Sequence, residues 1–158
     1  MSKTSIVAEP NKQEVIISRT FEARRELVFQ MWTDAAYIPE WWGPSTMTTI
    51  VDSLNAKKGG IWRYVQSDQA GNVYAHNGVF HEVSSPDRLV HTYEFEGVPA
   101  VGLVTVTFED LAGGRTKLTE TTLYPSVEIR DGVLQSGMTE GVIALMDRFD
   151  ALLAKHSL

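Results

Sequence analysis

Apolar and polar positions change their period twice along this chain. Glu14 to Phe21 (EVIISRTF) is a β-branched run that predicts a first strand. From Arg24 to Thr33 the apolar residues Leu27, Val28, Met31 and Trp32 recur at spacings of three and four, the period of a short amphipathic helix. Asp34 is placed to cap a second short helix, Ala35 to Trp41. Gly43 and Pro44 then stop it, because glycine accepts a left-handed turn and proline cannot continue a helix.

From Thr46 to Tyr124 the pattern becomes that of an antiparallel meander. Strands are expected at Met47–Leu54, Ile61–Gln66, Val73–Val83, Arg88–Phe95, Val101–Glu109 and Lys117–Tyr124. The stretches between them are short and each holds Gly, Pro, Asn or Asp, which supply turn dihedrals at little cost. Connections that short cannot make parallel crossovers, so the sheet is expected to be antiparallel.

After Pro125 the helical period returns. Ser126 is placed as an N-cap, with Glu128 and Asp131 toward the positive end of the helix dipole. Leu134, Met138, Val142, Leu145, Phe149 and Leu152 follow at helical spacing, one apolar stripe. A single helix from Val127 to Lys155 would be roughly 43 Å long. Only the meander offers a surface of that length. The expected fold is therefore α+β: a curved seven-stranded antiparallel sheet wrapped around a long C-terminal helix, with two short helices after the first strand. Such a sheet cannot close flat on one helix, and space is expected between them, toward the short helices. Residues 1–12 read as a loose, flexible polar lead-in, and 13–158 as one domain. Gly132, Gly137 and Gly141 interrupt the helix, each costing ~1 kcal/mol relative to alanine. Three such costs predict a close approach there by the sheet, a ligand or a partner.

Composition narrows the function classes. The chain has 158 residues, 43% hydrophobic and 22% charged, which is ordinary globular composition. Fourteen basic and 20 acidic residues give a formal net charge of −6, and no Lys/Arg run occurs. Nucleic acid and anionic membranes are therefore not expected as partners, since both need clustered positive charge. The absence of cysteine excludes disulfides, thiolate metal sites and a cysteine nucleophile. Met1 to Gln13 has no apolar core of a secretory leader, and no apolar run approaches the ~18 residues of a membrane span. The expectation is a soluble, cytoplasmic protein.

Candidate chemistry is sparse. Trp41 and Trp42 are adjacent, so at a helix end they cannot both face the same way; either one forms a wall or lid of a cavity mouth, or one caps the core and the other packs against the long helix, with Trp42 the more structural. Trp62, Tyr64, Tyr74, His76 and Tyr93 could line the concave face as an aromatic wall with polar tips, a mixture that suits a mostly apolar ligand with one polar group. Glu120 shares a strand face with Leu118, Thr122 and Tyr124; on the cavity side it would be a buried carboxyl with a raised pKa, on the other side a solvated one. Period alone does not decide between them, and a one-residue register shift reverses every such assignment. His76 and His81 point to opposite faces of a regular strand, His91 adds one cross-strand neighbour at most, and His156 is terminal. No HExxH or HxH spacing occurs, so no metal is expected. No GxSxG, phosphate loop or dinucleotide fingerprint is present, so neither a complete catalytic constellation nor a cofactor is expected.

Five pieces, in order, carry a resemblance: Phe21-Glu22-Ala23-Arg24-Arg25-Glu26-Leu27-Val28-Phe29 with Trp32-Thr33-Asp34; Trp41-Trp42-Gly43-Pro44; Gly59-Gly60-Ile61-Trp62-Arg63-Tyr64; Pro86-Asp87-Arg88-Leu89-Val90; and Ser136-Gly137-Met138-Thr139-Glu140-Gly141. Across about residues 14–155 the chain resembles the activator-of-heat-shock-protein-90-ATPase-like family, within the START/birch-pollen-allergen-like (SRPBCC) superfamily. The resemblance implies a helix-grip fold and a hydrophobic cavity, in a superfamily that binds lipids, sterols, polyketides and hormones. Where these proteins commonly have Trp after the second glycine of the last motif, this chain has Val142, which enlarges or reshapes the pocket, so no particular ligand carries over. The leading expectation is binding of a small, largely hydrophobic molecule. Its cavity candidates are Trp41, Trp62, Tyr64, His76, Tyr93, Glu120, Gly137, Met138 and Gly141. One alternative is a polyketide cyclase or dehydratase-like enzyme using Glu120, His76 and Tyr93; the other is a chaperone-activator-like interaction protein. Homodimer formation is left open.

Overall fold

A computed structural model describes residues 3–156; residues 1, 2, 157 and 158, the ends of the expected lead-in and domain, lie outside the described residues. The first feature is one the periodicity does not contain. Ser5–Val7 form a strand (β1) paired antiparallel with Glu14–Phe21 (β2), Ile6 opposite Ile17. Three residues are too few to show a period, so only the partner strand defines them. Part of the stretch expected as a loose lead-in is thus in the sheet, and the sheet has eight strands where seven were expected.

Two short helices follow, Arg25–Thr33 (α1) and Ile38–Trp41 (α2). The second is shorter than the predicted Ala35–Trp41, because Tyr37 N–H donates to Asp34 O in a turn and the helix starts only beyond it. The meander then runs Thr48–Leu54 (β3), Ile61–Ser67 (β4), Val73–Ser84 (β5), Arg88–Phe95 (β6), Val101–Leu111 (β7) and Arg115–Leu123 (β8). Each pair is antiparallel, and the order across the sheet is β1-β2-β8-β7-β6-β5-β4-β3. The chain leaves β2 near one edge and, through α1 and α2, re-enters at the opposite edge.

Burial alternates along β2, β4, β7 and β8, as a sheet buried on one face requires. The buried face carries Val15, Ile17, Arg19 and Phe21 of β2, Val104, Val106 and Phe108 of β7, and Leu118 and Thr122 of β8. Across it lie two helices, where the stripe predicted one. Val127–Gln135 (α3) ends at Ser136, and Met138–His156 (α4) begins after Gly137. Gly137 has φ +89°, a left-handed conformation that glycine adopts without a Cβ clash. The Ser136 hydroxyl donates to Val133 O (2.6 Å), satisfying a carbonyl that the break orphans. At 19 residues, α4 is about 28 Å long, not 43 Å.

The glycine expectation also changes. A Cβ at Gly132, Gly137 or Gly141 would meet nothing within 4 Å, so no close approach requires them. Gly137 is explained by its φ; nothing in the structure explains the other two.

Three arginines fix the helices to the sheet and loops. Buried Arg19 pairs with Asp147 (2.6 Å) and Asp150 (3.1 Å) of α4. Arg130 of α3 donates to Glu9 O (2.6 Å) and Glu14 O (3.2 Å) at the connection between β1 and β2. Arg148 of α4 donates to Gly43 O and, at 3.0 Å, to Glu40 O, satisfying carbonyls at the end of α2.

Candidate functional site

Between the concave face and the helices lies a cavity of ≈ 450 Å³, within the size range of small-molecule sites. Its floor is the inner face of the sheet and its walls are α2 on one side and α3 with the start of α4 on the other. Lining residues that stay exposed, Val98 (47%) and Ser136, put the opening between the β6–β7 connection and the helix break. Ile129 and Val133 of α3, and Met138, Val142, Leu145 and Met146 of α4, form the apolar roof.

The aromatic wall is built by a substitution of size. Gly78 on β5 leaves room for the Trp62 indole to cross: a Cβ there would stand 1.9 Å from Thr92 O and 2.3 Å from the Trp62 indole nitrogen. Trp62 Nε1 donates instead to Thr92 O (3.3 Å). Its ring meets Tyr64 (4.7 Å between centroids) and Tyr93 (6.0 Å). Trp42 completes the wall, 5.1 Å from Tyr64 and 4.8 Å from His76. Trp41 is anchored in the core, with Nε1 donating to Met31 O (3.0 Å) and its ring 4.7 Å from Phe149. Both tryptophans touch the cavity, but Trp42, expected as the more structural, is the one on the aromatic wall.

His76 sits one layer behind. Its Nδ1 lies 2.6 Å from the Tyr93 hydroxyl and its Nε2 2.8 Å from Gln66 Oε1. Burial lowers its pKa to about 4, against the opposing pull of Glu96, so the ring is neutral near pH 7. A neutral ring between those partners donates from Nε2 to Gln66 and accepts at Nδ1 from Tyr93. This aims the Tyr93 hydroxyl at His76, and burial raises the pKa of Tyr93 as it does that of Tyr64.

Glu120 is on the cavity face. It stands opposite Ile17 on β2 and Val106 on β7, with Leu118 and Thr122 on its own side of β8. It is the carboxyl of the lining. Glu120 makes no hydrogen bond or ion pair among the described residues. Burial pushes its pKa up to about 7. Tyr124, also on the wall, is pushed up to about 12 by burial and then by the charge of Glu120. His91 lines the cavity too; burial lowers its pKa, and its Nδ1 is 2.9 Å from Thr92 O.

Of the predicted residues, Trp41, Trp62, Tyr64, Tyr93, Glu120 and Met138 line the cavity. His76, Gly137 and Gly141 do not. His76 is screened by Tyr93 and Trp42, Gly137 is exposed at the helix break, and Gly141 is exposed on the outer side of α4. Sequence reasoning placed Tyr74 in the wall, yet its hydroxyl turns to Asp68 Oδ2 (3.3 Å) and it does not reach the cavity. Thr122 and Tyr124, which period 2 places on the same face as Glu120 but which were not among the cavity candidates, line the cavity with it. Ile129 and Val133 had no signal, because they reach the cavity only through the change of direction at Gly137.

No curated protein matches the chain at a significant level. Solved structures do. A Rhodobacter sphaeroides protein is 26% identical with a TM-score of 0.86, covering 96% of this chain and 98% of that one. A protein from Arthrobacter aurescens is 25% identical, with a TM-score of 0.87 and coverage of 96% and 91%. One from Mycobacterium smegmatis, also 25% identical, has a TM-score of 0.84 and coverage of 95% and 96%. The helix-grip fold is thus shared along nearly the whole length. The family model described as activator of Hsp90 ATPase homolog 1-like protein matches residues 22–154. With that match laid over both short helices, β3 to β8, α3 and nearly all of α4, the chain belongs to the activator of Hsp90 ATPase homolog 1-like family.

Proposed function

We propose that this protein binds a small, largely hydrophobic molecule in the cavity between the sheet and the α3–α4 pair. One observation carries the reading: an interior space of ≈ 450 Å³ walled by aromatic and aliphatic side chains, with only a few polar tips. A folded domain normally fills its interior to crystal-like density, so retained apolar space of this size is costly unless something occupies it. The family's fold is generally a ligand-binding one, which supports the same reading.

Val142 supplies the test, because it lines the roof where a tryptophan would project into the space. Titration with the neutral probe N-phenyl-1-naphthylamine should give saturable, one-to-one fluorescence enhancement. Val142→Trp should weaken it at least ~10-fold while circular dichroism and cooperative unfolding persist. Equal binding by both proteins, or none by either, would count against the cavity as the site.

The cyclase-like alternative would use Glu120 and Tyr93, which reach the cavity, and not His76, which does not. Binding needs only what the cavity itself offers and is the reading preferred. No residue of the site argues for chaperone activation.

A further inference from the structure

The cavity wall is chemically lopsided. No lysine or arginine lines it, and its one carboxyl, Glu120, has no hydrogen bond or ion pair among the described residues. We propose that the cavity selects hydrophobic amines, a protonated ammonium head pairing with Glu120 while the apolar tail lies under Met138 and Val142. This rests on the binding reading above and names the ligand class for the same site.

Three observations point the same way. The carboxyl is flanked by Ile17 and Val106 across the neighbouring strands, so no group of the protein competes for its lone pairs. Leaving such a group buried and unpaired costs stability, a cost that a ligand donating to it removes. The rings of Trp62, Tyr64, Tyr93 and Tyr124 in the cavity lining offer π faces that favour a cation over an anion. The same wall disfavours fatty acids, because a second carboxylate would face Glu120 in low dielectric with no cation to neutralise either.

Other titratable groups on the wall stay neutral near pH 7. Tyr64, Tyr93 and Tyr124 are raised by burial and His91 is lowered by it. The roof from α3 and α4, and the residues of α1 and α2 that reach the cavity, contribute no ionisable side chain. Glu120 is therefore the group whose charge an incoming head meets. Its pKa of about 7 gives binding a pH signature, since a bound ammonium favours the ionised carboxylate.

Three ligands with one tail test this: decylamine, decanol and decanoate, each below its aggregation threshold, displacing N-phenyl-1-naphthylamine in 0.3 M NaCl to screen the net negative surface. Decylamine should bind most tightly and decanoate at least ~10-fold more weakly. Affinity for decylamine should rise several-fold from pH 6 to pH 8 while that for decanol does not. Glu120→Gln, which keeps the shape, should lower decylamine affinity ~10-fold and leave decanol within twofold. Decanoate binding as well as decylamine, or a decylamine affinity indifferent to both pH and Glu120→Gln, would overturn the selectivity and leave the hydrophobic cavity standing. If none of the three displaced the probe, or the probe itself did not bind, the binding reading would fall and this inference with it.

Discussion

The two halves of the groove under the helices are built from the same kinds of residue and packed in opposite ways. Toward the C-terminal end of α4, Phe149 plugs the space against Phe21 (5.2 Å, edge-on) and Trp41 (4.7 Å), with Phe29 and Phe108 (5.2 Å) behind them. Met146, Leu152 and Leu153 are buried there too. Toward the helix break, Met138, Val142 and Leu145 of the same stripe are only half-buried, and the sheet below is not filled. Aromatic edge-to-face contacts close one half. In the other, the aromatic residues stand along the sheet as a wall and the helix turns away at Gly137. An apolar stripe alone therefore does not specify a solid core; side-chain volume across the gap does.

The largest test of this contrast is truncation on both sides of it. Phe149→Ala should destabilise by about 3–5 kcal/mol in urea unfolding, because a rigid aromatic plug cannot collapse around the hole. Met138→Ala, which widens space already present, should cost no more than about 2 kcal/mol. Equal costs would mean that both halves are packed alike.

Glu120 gives the next effect, through pH. Its folded pKa, about 7, lies above its ordinary value of 4.5, so the folded state holds the proton more tightly. That contribution is fully present below pH 4.5 and is lost as pH rises through 7. Glu120→Gln escapes the loss. It should therefore match the parent near pH 4.5 and exceed it by roughly 1–3 kcal/mol at pH 8, read from unfolding curves at both pH values. A constant difference at all pH values would place Glu120 in water.

Smallest is a pair of opposite sign within the helices. Gly137→Ala forces alanine into a left-handed conformation and should destabilise by about 1–2 kcal/mol. Gly141→Ala, inside α4 with open space around it, should stabilise by about 0.5–1 kcal/mol. Thermal unfolding that moved in the same direction for both would contradict the break.

Legibility along the chain follows the length of each pattern. Seven strands and the first helix were visible because each holds enough residues to show a period, and their boundaries moved by two residues at most. Ser5–Val7 was invisible because three residues have no period. Among site residues, Trp62, Tyr64 and Tyr93 were reachable from strand alternation, but Gly78, which makes room for Trp62, carries no side chain to announce itself. Trp41 and Trp42 exchanged their expected emphasis because neighbouring indoles are sorted by what each meets: Met31 O for one, Tyr64 and His76 for the other.

Local periods and turn residues are properties of the chain itself, so sequence by itself determined the α+β class, the antiparallel meander, the Ser126 cap and the apolar stripe from Leu134 to Leu152. Distances between segments far apart in the chain are not. Only the tertiary structure decided that the stripe bends at Gly137, that Glu120 faces inward between Ile17 and Val106, and that His76 stops behind Tyr93. Each depends on register across strands and on which volumes meet over the groove, and period 2 or 3.6 is blind to both.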